Sequence, residues 1–505
     1  MSKSLTVTPP RASIPRFKYL FFLRLPSSPR PCPSIRDIPS DVVLEIGRHI
    51  SSRADVLSFS LVCKRARIAL MPKLYGTVEL KVNEDCTTTL EALLEQREIA
   101  QHIHTLIVRP NNVERTLAGD FLDENFVSNI IVRMSSRLTA LRAFTWDGME
   151  MPEDSLWHSL KTFCPFLTNI STSVGSEPLI NDSHLYDFSN LIQFSITVKS
   201  TSFEWMTEGR PVIERLPRRL WEMLIERCPT LEELTIGGLP PSPRPFNIRH
   251  VTAGRWPRLR SLTLGDMTLI LGRGEKALLQ EHEAFKQFLL AHPSLQTLAL
   301  QHAGGTGFPS SFSLPRSALP SITSFRGPPK YIKSLPNPRT LQELTISTLH
   351  HSMSSLPPTC GILKGLPSLS SLSISIDLSF ASHHTPHDDR KIFSMLLQCC
   401  PRLHHIDVIC FTRPTFYVKE FSDALRHSPQ LRSFSLTKIY KTNDEEMIQT
   451  ANRIAHHNPN IQRFHLRCSQ DSWFTHGGGR AKQIVQSALL SELCATFVGF
   501  EDEKG

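Results

Sequence analysis

The sequence predicts an α/β solenoid: stacked repeats with a curved parallel-strand surface inside and helices outside. Three observations predict it. A phrase reading Pro-x-Leu-x-x-Leu-x-Leu, with other apolar residues allowed, returns at Pro229–Ile236, Pro257–Leu264, Pro293–Leu300, Pro367–Ile374, Pro401–Val408, Pro429–Leu436 and Pro459–Leu466. Counted from the first apolar position, Leu231 to Ile461, the copies stand roughly 20–40 residues apart, the period of solenoid repeats. Most copies also follow an apolar pattern at helical spacing, such as Leu220, Leu224 and Ile225 before Pro229 and Phe285, Phe288 and Leu289 before Pro293. One such unit cannot bury its apolar side alone, so neighbours must stack.

The chain opens on a basic, Pro-rich tail, residues 1–34, expected to be disordered because its prolines break any helix. Of the 56 Lys and Arg residues, seven lie in residues 1–36, which hold no acid; the other 49 face 47 acids. The near-neutral remainder argues against a general nucleic-acid binder. The apolar run Tyr19–Leu23 is too short to cross a bilayer, which takes about 20 residues. No membrane or nucleic-acid partner is expected.

Residues 35–80 read as a separate, mainly helical unit. Val42, Val43, Ile46 and Ile50 form one helical face after Pro39 and Asp41. Asp55 is expected to cap a second helix carrying Val56, Leu57, Leu61 and Val62. A third helix from Lys64 is expected to stop near Pro72, and Thr77–Leu80 to leave as a strand. About 40 residues make a marginal core, so part of the apolar surface is expected to be buried against something else. Ile38, Pro39, Val42, Val43, Ile46, Leu57, Leu61 and Val62 are its candidate binding residues, supplying the surface and the packing behind it.

The repeats are expected over residues 100–470. Weaker copies of the strand phrase start at Ile103, Leu141, Leu167, Leu191, Ile322 and Leu341. Residues 304–318 and 375–389 read as loops. Residues 471–505 are expected to form a loop and a capping helix at about 481–497.

No catalytic constellation is legible. Gly304-Gly305-Thr-Gly307 and Gly477-Gly-Gly479-Arg480 lack the Lys and Ser/Thr of a phosphate loop. His383, His384, His387, Asp388 and Asp389 fit solvated loop residues better than a metal site. The 11 cysteines are scattered; Cys164, Cys228 and Cys400 precede repeat prolines, where a small buried residue suits a helix end. These features predict no cofactor, no metal and a reducing compartment, cytoplasmic or nuclear.

Two resemblances add to this reading. Ile38-Pro39-x-Asp41-Val42-Val43-x-x-Ile46, Asp55-Val56-Leu57 and Leu61-Val62-Cys63-Lys64-Arg65 resemble an F-box, and the repeats resemble the leucine-rich repeat family. Gly47 and Ala66 depart from the F-box pattern, standing where a bulky apolar residue and a tryptophan are usual. The resemblance implies a substrate receptor of an SCF-type ubiquitin ligase. Residues 35–75 would dock on a Skp-type adaptor of a cullin–RING ligase, and the repeats would hold a protein substrate. It implies an adaptor, not an enzyme. The alternative is a scaffolding repeat protein whose degenerate F-box does not bind the ligase.

A substrate patch is sought on the inner strand face. Ser261 and Thr263, Ser371 and Ser373, and Ser433 and Ser435 are small and neutral there. The last copy instead presents Arg463, His465 and Arg467, with His405 and Asp407 two repeats earlier. Alternation puts the three cations on one side of a strand. This pattern suits an acidic or phosphorylated segment.

Overall fold

The structure, a computed structural model, describes residues 38–111, 121–175, 179–199, 216–238, 248–265, 275–300, 314–350, 356–377, 390–410, 418–439, 447–469 and 495–498. The tail and the glycine and histidine segments at 304–307, 383–389 and 477–480 lie outside the described residues. The chain divides into two compact units, with the boundary between Leu70 and Met71.

The first unit is helical: α1 (Ser40–His49), α2 (Arg53–Ser60) and the start of α3 (Lys64–Tyr75). Val43, Val56, Ala66 and Leu70 are its buried apolar residues. Ser52, not Asp55, caps α2: its hydroxyl accepts from the Asp55 N–H at 3.4 Å. Asp55 instead adds its charge to the first turn, where the helix dipole favours an acid. The α3 helix also passes through Pro72. A proline there forgoes one backbone bond, and burial of Met71 and Leu74 beside it holds the helix to Tyr75.

The second unit is one sheet whose strands follow chain order. It runs β1 (Thr77–Leu80), β2 (Thr105–Val108), β3 (Ala143–Trp146), β4 (Asn169–Val174), β5 (Gln193–Val198), β6 (Glu233–Gly238) and β7 (Ser261–Leu264). It continues through β8 (Thr297–Leu300), β9 (Ser324–Arg326), β10 (Glu343–His350), β11 (Ser371–Asp377), β12 (His405–Cys410), β13 (Ser433–Ile439) and β14 (Arg463–Ser469). These 14 strands pair in parallel, and β15 (Ala495–Val498) closes the series antiparallel to β14. Every copy of the phrase becomes a strand here, weak copies included. Three boundaries move. The sheet begins at Thr77, inside the segment assigned to the helical unit and well before residue 100. Asp377 still belongs to β11, not to a loop. Ala495–Val498, the end of the expected capping helix and just beyond it, is a strand, as its β-branched and aromatic residues favour.

Helices return the chain between strands: α4 (Asn83–Glu95) and α5 (Arg97–Ala100), α6 (Glu124–Met134), α7 (Asp154–Phe163), α8 (Arg218–Glu222), α9 (Ile248–Ala253) and α10 (Glu275–Leu290). Then come α11 (Pro329–Ile332), α12 (Leu356–Lys364), α13 (Arg390–Cys399), α14 (Val418–Leu425) and α15 (Met447–His457). A short 3-10 turn, His184–Asp187, serves between β4 and β5.

The repeat proline has a clear physical task. In each clear copy the first leucine-type N–H closes a four-residue turn onto the carbonyl before the proline. Examples are Leu231 to Cys228 at 3.3 Å, Leu259 to Trp256 at 3.0 Å and Leu431 to Ser428 at 3.0 Å. Proline thus occupies the second turn position, for which its fixed φ is prepared. The next N–H already reaches the preceding repeat, as Arg260 to Glu232 and Arg432 to His404 do. Each turn therefore delivers its strand in register. Strand residues then alternate, one row buried and one outward, as in Ser261–Leu264 and His405–Cys410. The buried row and the helices share one continuous core from Met71 to Phe464. Aromatic contacts tie its last repeats together: Phe393 to Phe421 at 5.1 Å, Phe421 to Phe434 at 5.6 Å and Phe434 to Phe464 at 5.5 Å between ring centroids.

Candidate interaction surfaces

The helical unit leaves much of its apolar material outside. Leu61 is 73% exposed, Val62 52%, Leu57 47%, Val42 43% and Ile46 40%. Leu44 and Ile68 are exposed as well. Val42 and Ile46 lie one turn apart on α1, hence on one side of it. Ile38 is half-buried and Pro39 exposed, while Val43 is buried and packs behind them. That is a large share of exposed apolar surface for so small a unit. Gly47 and Ala66 play a different part: both are buried. A Cβ on Gly47 would collide with Leu70 Cδ2. Gly47 lets α1 approach Leu70 of α3 inside the unit, and Ala66 is buried there as well.

The outward row of the sheet is the second surface. At its start the charges neutralise one another. Lys81 pairs with Glu79 at 3.0 Å, Glu79 with Arg109 at 3.4 Å, Arg109 with Asp147 at 3.7 Å and Asp147 with Lys199 at 2.5 Å. Lys199 also donates to the Asp147 and Gly148 carbonyls. Further along, the register aligns His405, Ser433 and Arg463 in one row and Asp407, Ser435 and His465 in the next. Arg467 is paired in register with Thr437; its side chain lies outside the described residues. His405 Nδ1 lies 2.9 Å from Ser433 Oγ, and Ser373 Oγ donates to Asp407 at 3.1 Å. Arg463 is exposed and His465 half-buried.

A polar cluster on the helical side escaped the sequence reading. Ser183 Oγ donates to Asp154 at 2.6 Å and accepts from the Leu185 N–H; His184 and Arg219 both meet Asp187. Burial opposes the Asp187 charge, but His184 and Arg219 outweigh it and hold the carboxyl below its usual range. The Ser183 hydroxyl is committed to a cap and a carboxylate and makes no nucleophile. A serine just ahead of the His184–Asp187 turn is an N-cap signal that could have found it.

Among the described side chains eight cysteines are free thiols, and of these every one except Cys63 is buried. Cys164, Cys228 and Cys400 fill the helix-end positions anticipated for them. Burial pushes the Cys164 and Cys400 thiols up to about 12, so they are inert as nucleophiles at neutral pH. Among the described residues no group of three or more His, Cys, Asp or Glu side chains could hold a metal ion, and no helix is long and apolar enough to cross a membrane.

The repeat unit has the fold of a leucine-rich-repeat solenoid. Fourteen parallel strands in chain order, with helices or short turns between them, decide it. No family model matches the chain, and no curated protein matches it in sequence. Among solved structures, it is similar to the leucine-rich repeat-containing protein LegL7 from Legionella pneumophila. The identity is 13% and the TM-score 0.36, covering 64% of this chain and 98% of that one. A second likeness is to the yeast Rad7 and Elc1 complex, at 13% identity and a TM-score of 0.38, covering 80% of this chain and 94% of that one. Both are distant, and neither bears on function.

Proposed function

We propose that this chain is the substrate-recognition subunit of an SCF-type ubiquitin ligase, acting in the cytoplasm or nucleus. Its helical unit docks on a Skp-type adaptor of the cullin–RING ligase, and its repeats hold a protein substrate. The observation that carries this reading is the coincidence of motif and exposure. Val42, Ile46, Leu57, Leu61 and Val62 match the F-box pattern and are among the apolar residues left outside this small unit. Ile38 and Pro39 complete the docking surface, with Val43 as support beneath. Arg463, His465, Arg467, His405 and Asp407 are assigned to the substrate side. The chain is no catalyst in this scheme. It raises the local concentration of substrate lysines near a ubiquitin carrier.

The scaffolding alternative draws on Gly47 and Ala66, which are buried inside the helical unit. The test is direct binding of the purified full chain to a Skp-type adaptor. Leu61→Asp with Val62→Asp alters two side chains already in solvent, so the melting temperature should hold while adaptor affinity falls at least about tenfold, a loss of roughly 1.4 kcal/mol. A wild-type chain that ignores the adaptor, or a variant that binds it equally well, would sink the proposal.

A further inference from the structure

Arg326 occupies an unusual place. It ends β9 on the outward row, with Phe325 buried behind it, in register with Ala299 on β8 and Thr345 on β10. The next residue, Gly327, holds the backbone close: a Cβ there would stand 2.9 Å from the Leu300 carbonyl oxygen, and its N–H donates to Thr345 O at 2.9 Å. Some arginines on the molecule meet carboxylates, as Arg109, Arg219 and Arg249 do. Among the described residues no ion pair reaches Arg326, nor Arg463 on β14. The sequence on either side of Arg326 is poor in acids. From Ala284 to Ile376 the chain holds seven Lys and Arg residues and a single acid, Glu343. Glu343 pairs in register with Ser324, not with Arg326. Desolvation lowers the Arg326 pKa, yet its side chain stays exposed on the outward face. An exposed guanidinium without a counter-charge is free to take an incoming carboxylate or phosphate.

We propose that Arg326 and Arg463 are two anchors for one extended, acidic protein segment that crosses the sheet from β9 to β14. This deepens the substrate reading above and rests on its premise that the sheet holds a protein. Both anchors lie on the outward face, five strand steps apart. At about 4.8 Å per step they are about 24 Å apart, or about seven residues of extended chain at roughly 3.3 Å each. Between them the face carries the small side chains of Thr345, Ser371, Ser373, Ser433 and Ser435, which leave room for a backbone beside Glu343 and His405. Asp407 lies between the anchors, in the Arg326 register row, and makes that stretch unfavourable for an acid. The ligand pattern is therefore anion, neutral or basic middle, anion. The anion is a carboxylate or a phosphorylated hydroxyl.

Fluorescein-labelled peptides of Gly, Ser and Asn provide the probe. One set carries two glutamates about seven residues apart and a matching set two phosphoserines; controls place the pair roughly three apart. Anisotropy titration of the full chain at low salt should favour the wide spacing at least about tenfold. Arg326→Ala and Arg463→Ala should each abolish that preference, while Lys364→Ala, on α12 in the same basic stretch, should keep it. Comparing the glutamate and phosphoserine sets identifies the anion. Equal affinity at both spacings, no binding of either set, or an equal effect of Lys364→Ala would overturn the proposal. Adaptor binding measured on the same samples separates this outcome from failure of the ligase reading.

Discussion

Leu234→Ala, read against its neighbour Glu233→Ala, tests the repeat register most directly. Leu234 lies on β6 in register with Phe194 on β5 and Leu262 on β7, and all three are fully buried. The truncation removes three carbons, about 2.4 kcal/mol of transfer free energy at roughly 0.8 kcal/mol each. Partial collapse of the cavity sets the rest, so the total falls within about 2–5 kcal/mol. Glu233, one residue earlier, points outward and is exposed, and its replacement by alanine should cost less than about 0.5 kcal/mol. Urea unfolding followed by far-UV circular dichroism measures both. Solenoid stability is a sum of local and nearest-neighbour terms, so the Leu234 variant should also broaden the transition as repeats on either side uncouple. Equal costs for the two substitutions would refute the alternation from which the outward face is defined.

Three further outcomes follow from the structure. Asn111, at φ 54°, bonds through its side chain to Asn83, Leu122 and Glu124; Asn111→Ala should cost roughly 1–3 kcal/mol in the same assay, and Asn111→Gly, which relieves φ but not the lost bonds, should recover only part of it. His292 is buried and neutral, with Nε2 accepting from the Trp256 N–H at 3.0 Å and Nδ1 2.7 Å from the Phe288 carbonyl. Burial lowers its pKa from 6.5, so its stability contribution is complete above that value and declines as the pH falls below it, by up to about 1.4 kcal/mol per pH unit; His292→Gln should flatten that part of the stability profile. Gly47→Leu should destabilise the helical unit by roughly 1–3 kcal/mol through overpacking against Leu70, seen as protease sensitivity confined to residues 38–70.

The strand positions could be read from the sequence because the repeat phrase carries its own geometry. A proline at the second turn position sets where each strand starts, and the two-residue period says which side chains enter the core. Both are local properties, so even the weak copies at Leu167 and Ile322 resolved. The exposed set of the helical unit was legible for a similar reason: a unit of that length cannot cover its own apolar residues. Other features were settled only by tertiary packing. Gly47 and Ala66 look like missing docking residues until α3 places Leu70 against Gly47. Pro72 looks like a stop until the burial of Met71 and Leu74 is seen. Ala495–Val498 has strand-forming residues, but its pairing with the β14 edge is a long-range contact that local propensity does not encode. Arg326 is one arginine among many in the sequence. Its isolation depends on Ala299 and Thr345, which are 27 and 19 residues away along the chain and adjacent only across the sheet. Local signals specify how each repeat is made; which side chains meet between repeats is a matter of register, and register exists only once the repeats have stacked.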